Sequence, residues 1–151
     1  MATVNEDLAG PPPTARPWHL LFVGIVSLLW NAFGAFDYVM TQLRNEAYMS
    51  GFPEEQLAYF YGMPVWADIG WALGVWGAVA GSVLLLLKSR WALAAFLLSL
   101  AGLLVSALHQ IVNPPPASLS GGMMWFAALI WAFTLFLIWY SAAMRKRGVL
   151  R

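Results

Sequence analysis

The stretch GSVLLLLKSRWALAAF, residues 81–96, decides the fold. To its left the chain is apolar from Val65 to Leu87 with a single acid, Asp68. To its right it is apolar from Trp91 to Val112 with no Lys, Arg, Asp or Glu at all. Each run meets the roughly 20 apolar residues that a helix needs to cross a bilayer. Only Lys88, Ser89 and Arg90 separate them, too few to do anything but turn the chain back. The stretch therefore reads as the charged tip of a helical hairpin, with two spans running antiparallel from it.

Working outward, two more runs satisfy the same length rule, Trp18 to about Thr41 and Met123 to Met144. Between the third and fourth spans lies NPPPASLSGG, residues 113–122, whose prolines cannot continue a helix. The connection between the first two spans, about residues 44–63, is longer. Within it PEEQLAYFY, residues 53–61, opens on a proline and two acids, which suit a first helical turn. Its aromatics suit a short helix lying at the membrane interface. The fold class is all-α, an integral membrane four-helix bundle.

Composition agrees. Only 10% of the 151 residues are charged, against about 25% in soluble domains, so most of the surface must face the lipid bilayer. The chain has no cysteine, which excludes disulfides and thiolate chemistry. A net charge of +1, without a basic, aromatic-interleaved patch, excludes nucleic acid as a partner. Arg16, Lys88, Arg90, Arg145, Lys146, Arg147 and Arg151 fall on one side of the membrane and Arg44 on the other, so both termini are expected in the cytoplasm. Residues 1–17 read as a flexible cytoplasmic tail, residues 18–144 as the transmembrane domain and residues 145–151 as a basic cytoplasmic tail.

Helical rise places the ionisable groups in depth. At 1.5 Å per residue, Asp37, Asp68 and His109 each lie about 27–30 Å from the cytoplasmic end of their helix, at the outer rim of the slab. Asn31 lies about two turns deeper. Helical rotation adds direction. Gly24, Ser27, Asn31, Tyr38, Gln42 and Asn45 share one face of the first span, and Ala92, Ala95, Ser99, Gly102, Ser106, Gln110 and Asn113 share one face of the third. Unpaired amides in hydrocarbon cost several kcal/mol, so both stripes are expected to turn inward, toward each other. In the second span Gly70, Gly74, Gly77 and Gly81 form a ridge for close helix packing. The fourth span is a largely aromatic wall, facing lipid or a partner.

These groups sustain two kinds of reading. Asp37 and Arg44, seven residues apart, either anchor the helix as an interfacial ion pair or handle a ligand or proton. Asp68 either stabilises the start of its helix or joins the same site. Trp30, Trp66, Trp71 and Trp76, with Tyr38, Tyr48, Tyr59 and Tyr61, either form an interfacial belt or offer flat platforms beside the amides. The candidate ligand-binding set is Asn31, Asp37, Tyr38, Gln42, Asp68 and His109. One histidine and two scattered aspartates fall short of a metal site, and no cofactor is expected. Bis-histidine haem is excluded within one chain, because His19 and His109 sit about 25 Å apart in depth. No nucleophile motif of the GxSxG type is present, so no catalytic residue is assigned.

The segments FGAFDYVMTQLRNEAY, PEEQLAYFYGMPVWA and WGAVAGSVLLLLKSRWAL resemble a group of small four-helix bacterial inner-membrane proteins commonly labelled sugar transporters. The resemblance spans about residues 20–110 and implies a bacterial inner membrane. The expected function is a non-enzymatic membrane protein that binds a small polar or amphipathic molecule from the outer side, or serves as an accessory subunit of a larger membrane complex. The alternative is an oligomeric transporter of a sugar-like solute, with the glycine ridge and the aromatic span available for a homo-oligomer.

Overall fold

A computed structural model describes residues 17–151, and residues 1–16, with nearly all of the expected N-terminal tail and its Arg16, lie outside the described part. Six helices follow in order: α1 Trp18–Gln42, α2 Glu46–Met49, α3 Glu54–Tyr61, α4 Val65–Leu86, α5 Ala92–Val112 and α6 Ala117–Lys146. The described residues are helical with connecting turns and contain no strand. Four of the helices, α1, α4, α5 and α6, are long and apolar enough to cross a membrane.

The span boundaries differ from expectation mainly at α6. It begins at Ala117 and carries Gly121 and Gly122 inside it, two turns earlier than the fourth apolar run. Three prolines end at Pro116, and a proline just ahead of the first helical residues gives up no needed N–H. At 30 residues, α6 is about 45 Å long and outruns its neighbours at the end where α2 and α3 lie. That end is the lid end below; the opposite end, with Trp18, the 88–90 turn and the C-terminus, is the basic end.

The helices do not form a closed square. α4 lies between α1 and α5, the backbone of α6 approaches mainly α5, and the backbones of α1 and α6 hardly meet. The tightest seam is α4 on α5, and its cause is the glycine ridge. A Cβ added at Gly77 would come within 3.0 Å of the Ser99 nitrogen, and one at Gly70 within 2.5 Å of Val105. Gly102 answers from α5: a Cβ there would strike the Gly74 backbone. Ser99 Oγ donates to the Gly74 carbonyl at 2.6 Å across the same seam. The ridge is thus spent inside the monomer and is not a surface for a homo-oligomer.

α1 packs on the other side of α4, and this corrects the expectation that its polar stripe faces the third span. Asn31 Nδ2 donates to Ser82 Oγ at 2.9 Å and to the Ala78 carbonyl at 3.3 Å. Gln42 Nε2 donates to Asp68, and Tyr38 meets Trp71 edge to face at 5.0 Å between centroids. All four partners belong to α4. Helix α4 satisfies both neighbours because glycines cover one side while Ala67, Ala78 and Ser82, all buried, cover the other.

The two halves of the bundle are packed differently. At the basic end Leu20, Leu85, Ala92, Phe96, Leu137, Tyr140, Met144 and Leu150 form one buried cluster. Five of these side chains, Leu20, Leu85, Ala92, Phe96 and Leu137, are essentially sealed from solvent. His19 Nδ1 and Tyr140 OH close the α1–α6 gap there at 2.6 Å. The C-terminal segment is not a free tail. Arg151 donates to the Lys88 carbonyl at 2.8 Å and accepts from Arg90 N–H at 3.0 Å, with Leu150 buried beneath. Outward, Leu29, Leu104, Trp125, Leu129 and Trp139 are exposed, an apolar belt of the kind that a bilayer would cover.

Candidate functional site

The lid-end half is hollow. Because α1 and α6 diverge from the His19–Tyr140 contact onward, side chains alone bridge the gap. Trp30 does so, its indole 5.7 Å from Phe133 and 6.2 Å from Phe126 between centroids. Between Trp30 and the lid lies a cavity of about 660 Å³, within the roughly 300–1,000 Å³ typical of small-molecule sites. Along α5 it is lined from Ser99 to Gln110, roughly 16 Å of depth.

Each wall is set by local structure. From α1 come Trp30, Asn31, Phe33 and Asp37; from α4 Trp71, Gly74 and Val75; from α5 Ser99, Ser106, His109 and Gln110; from α6 Phe126, Ile130 and Thr134. The roof comes from the α1–α4 connection, with Tyr48 and Met49 of α2, Phe52 of the turn, and Leu57, Tyr59 and Phe60 of α3. Asn45 starts this roof by accepting the Tyr48 N–H at 3.0 Å as an N-cap, and Met49 anchors it by burial. α3 is then tied down at its far side. Ser118 Oγ donates to Glu55 Oε2 at 2.6 Å, and Tyr59 OH donates to the Asn113 carbonyl at 2.8 Å. The early start of α6 is what brings Ser118 within reach.

Three candidate residues from the sequence line the cavity: Asn31, Asp37 and His109. Tyr38, Gln42 and Asp68 do not. They lie in the α1–α4 seam, where Gln42 and Asp68 bond each other and Tyr38 packs on the far side of Trp71. Asp37 forms no ion pair with Arg44. Its Oδ1 accepts from Tyr48 OH at 2.8 Å, whereas the Arg44 guanidinium sits 4.5 Å from the centre of the Tyr61 ring. Arg44 adopts a positive φ of 49° at the end of α1, which turns it toward α3 and away from Asp37. The two residues read as one anchoring pair thus separate, and Asp37 passes to the cavity.

The electrostatics are lopsided. Among the described lining residues Asp37 alone carries a formal charge at neutral pH. Tyr48, in the roof, has its phenol pushed up to about 12 by burial and by the hydrogen bond to and charge of Asp37, so it stays a neutral donor. Burial also raises the Tyr59 phenol. His109 is buried at 4% exposure between Tyr59 and Trp66, with ring centroids 5.6 and 5.7 Å away. Asn31 donates both its hydrogen bonds from Nδ2, leaving Oδ1 without a donor among the described residues. No group of three His, Cys, Asp or Glu that could hold a metal ion occurs among the described residues.

The lining also includes residues that helical periodicity did not assign to a site. Ser99, Ser106 and Gln110 were visible as a stripe. Phe52, Phe60 and Met63 come from a connection whose path the sequence does not specify, and Phe126, Ile130 and Thr134 from a span that reads as a uniform wall. Trp30, Trp71, Tyr48 and Tyr59 are among the expected platforms and line the cavity, while Trp66 and Trp76 stand on the outside, 44% and 49% exposed. No protein-family model matches the chain, and no curated protein or solved structure is detectably similar to it.

Proposed function

We propose that the chain is a non-enzymatic membrane protein that takes a small amphipathic molecule into the lid-end cavity from the outer side. The observation that carries this reading is the contrast between the halves: one is filled by aliphatic and aromatic side chains, the other holds a laterally open cleft of about 660 Å³. A bundle with no ligand to house gains nothing from such a void, since each unfilled volume forfeits packing energy. Aromatic walls with a few convergent polar groups suit a molecule with an apolar body and a polar head. The lysine and arginine bias supports a cytoplasmic basic end, and the resemblance of the α1–α5 region supports a bacterial inner membrane.

Transport of a sugar-like solute ranks second. It requires a polar path through the whole slab, and the Leu20–Phe96–Leu137–Tyr140 plug weighs against one in this arrangement. A homo-oligomer or larger complex would form through α6, whose Trp125 and Trp139 are 78% and 64% exposed, because the glycine ridge is occupied. The test is gentle-detergent purification of the full chain from its native membrane, followed by solvent extraction and mass spectrometry. A small amphiphile is expected with the native chain and absent from Ala127→Trp, whose ring fills the cavity that Ala127 lines from α6. Equal recovery from both would refute the reading.

A further inference from the structure

The cavity contains one uncompensated charge. Asp37 projects from α1 into a space walled by Trp30, Tyr48, Phe60 and Trp71, and the single hydrogen-bond partner of its carboxylate among the described residues is the neutral Tyr48 phenol. The nearest candidate counter-ion in sequence, Arg44, is engaged on Tyr61 outside the cavity. Asp37 is half-buried, so a ligand cation could reach its carboxylate from the cavity. The aromatic faces around it have the electronic character that attracts cations, since each ring presents negative charge on its face.

We infer that the ligand is a hydrophobic organic cation, an ammonium- or phosphonium-type amphiphile, with Asp37 as its counter-ion and the rings of Tyr48, Tyr59, Phe60 and Trp71 as the walls of its head-group site. This deepens the binding reading above and rests on it. These aromatic groups form a contiguous cluster along the lid. Phe60 and Trp71 stand 5.4 Å apart, Tyr59 and Phe60 5.6 Å apart, and Tyr48 and Phe52 5.6 Å apart between centroids. They surround the roof and one wall at the depth of Asp37, while the deeper part of the cavity, beside Trp30, Phe126 and Ile130, is left for an apolar body. The gap between α1 and α6 gives that body a lateral way in from the bilayer, with Trp30 as the doorpost. Tyr48 orients the carboxylate through Oδ1 and leaves Oδ2 for the ligand.

The test uses the full chain in lipid nanodiscs, with empty discs as the blank, and three probes. Tetraphenylphosphonium and tetraphenylborate have nearly the same shape and opposite charge; a short-chain benzoquinone is neutral. Saturable binding of the phosphonium, weak or no binding of the borate, and a loss of phosphonium affinity of about tenfold or more in Asp37→Asn, equivalent to ~1.4 kcal/mol, are expected. Asp37→Glu restores most of the affinity, and Glu54→Gln, an exposed acid on the outer side of α3, leaves it unchanged. Benzoquinone binding by Asp37→Asn at the native level shows that the cavity is intact. Equal binding of phosphonium and borate, an Asp37→Asn variant that binds phosphonium as the native chain does, or a loss in Glu54→Gln matching that in Asp37→Asn would overturn the cation inference. If phosphonium fails while benzoquinone saturates, the binding reading survives and the charge assignment falls; if neither saturates, both fall.

Discussion

Gly102→Ala is the sharpest probe of the α4–α5 seam. Its added Cβ would lie 2.5 Å from the Gly70 carbonyl oxygen and 2.9 Å from the Gly74 Cα, and it would overlap the Gly74 nitrogen. All three atoms are backbone, so no rotamer change relieves the clash. Restoring an ordinary contact means parting the two helices by about 1 Å. That displacement stretches the 2.6 Å bond from Ser99 to the Gly74 carbonyl beyond hydrogen-bond range. Overpacking of this kind costs about 1–3 kcal/mol, and an interhelical bond in a membrane protein adds ~0.6 kcal/mol. The expected total is about 2–4 kcal/mol, less the helix-propensity gain of up to about 1 kcal/mol that both variants share. The same substitution at Gly121, on α6, provides the reference: nothing lies within 4 Å of the new Cβ, and replacing a helical glycine gains up to about 1 kcal/mol. Reversible unfolding of both variants in mixed micelles measures the difference directly. Equal stabilities for Gly102→Ala and Gly121→Ala would refute the claim that glycine contact holds α4 to α5.

Three further outcomes are expected. Tyr48 has a folded pKa of about 12 against about 10 in an unfolded chain, so its contribution is complete below pH 10 and lost as pH rises toward 12; Tyr48→Phe should delete the latest tyrosinate absorbance step and flatten stability across that window, and an unchanged titration would contradict the Asp37 contact. Cutting both lid ties with Tyr59→Phe and Ser118→Ala removes two bonds worth ~0.5–1 kcal/mol each, so amide exchange in Glu54–Tyr61 should quicken about five- to thirtyfold while α5 stays protected; unaltered protection of α3 would show that burial alone holds the lid. Because the chain has no cysteine, Ser50→Cys and Ser89→Cys can be labelled singly with an impermeant maleimide, and only Ser50→Cys should react in intact cells; the reverse pattern would invert the proposed orientation.

Asp37 and the amide stripe of α1 show how far local pattern reaches. Helical rotation separates Asp37 from Tyr38 and Gln42, because azimuth around one helix follows from 3.6 residues per turn, whereas Asn31, bonded to Ser82, borders both the seam and the cavity. Rotation does not say which neighbour each direction meets. With α4 inserted between α1 and α5, the stripe becomes a seam, closed by Asn31 on Ser82 and Gln42 on Asp68, and the Asp37 side opens on the cavity. The same ambiguity hides α6, whose apolar surface is continuous around the helix and so carries no periodic sign of which side faces Trp30. The roof lies beyond pattern altogether, since the path of residues 43–63 depends on the Asn45 cap, the Arg44 backbone and the distant Ser118.

The four helices long enough to cross a membrane and the hairpin at Lys88–Arg90 are determined by the sequence alone. Hydrocarbon obliges every backbone group to pair within its own helix, and length and hydropathy along the chain therefore suffice. The neighbour relations are decided only in the tertiary structure. They depend on how closely each pair of helices can approach, and that is settled by opposed small residues such as Gly74 and Gly102 acting from two segments at once. Tight packing of α4 on α5 and of α1 on α4 leaves α6 at a distance from α1, and that distance is the cavity.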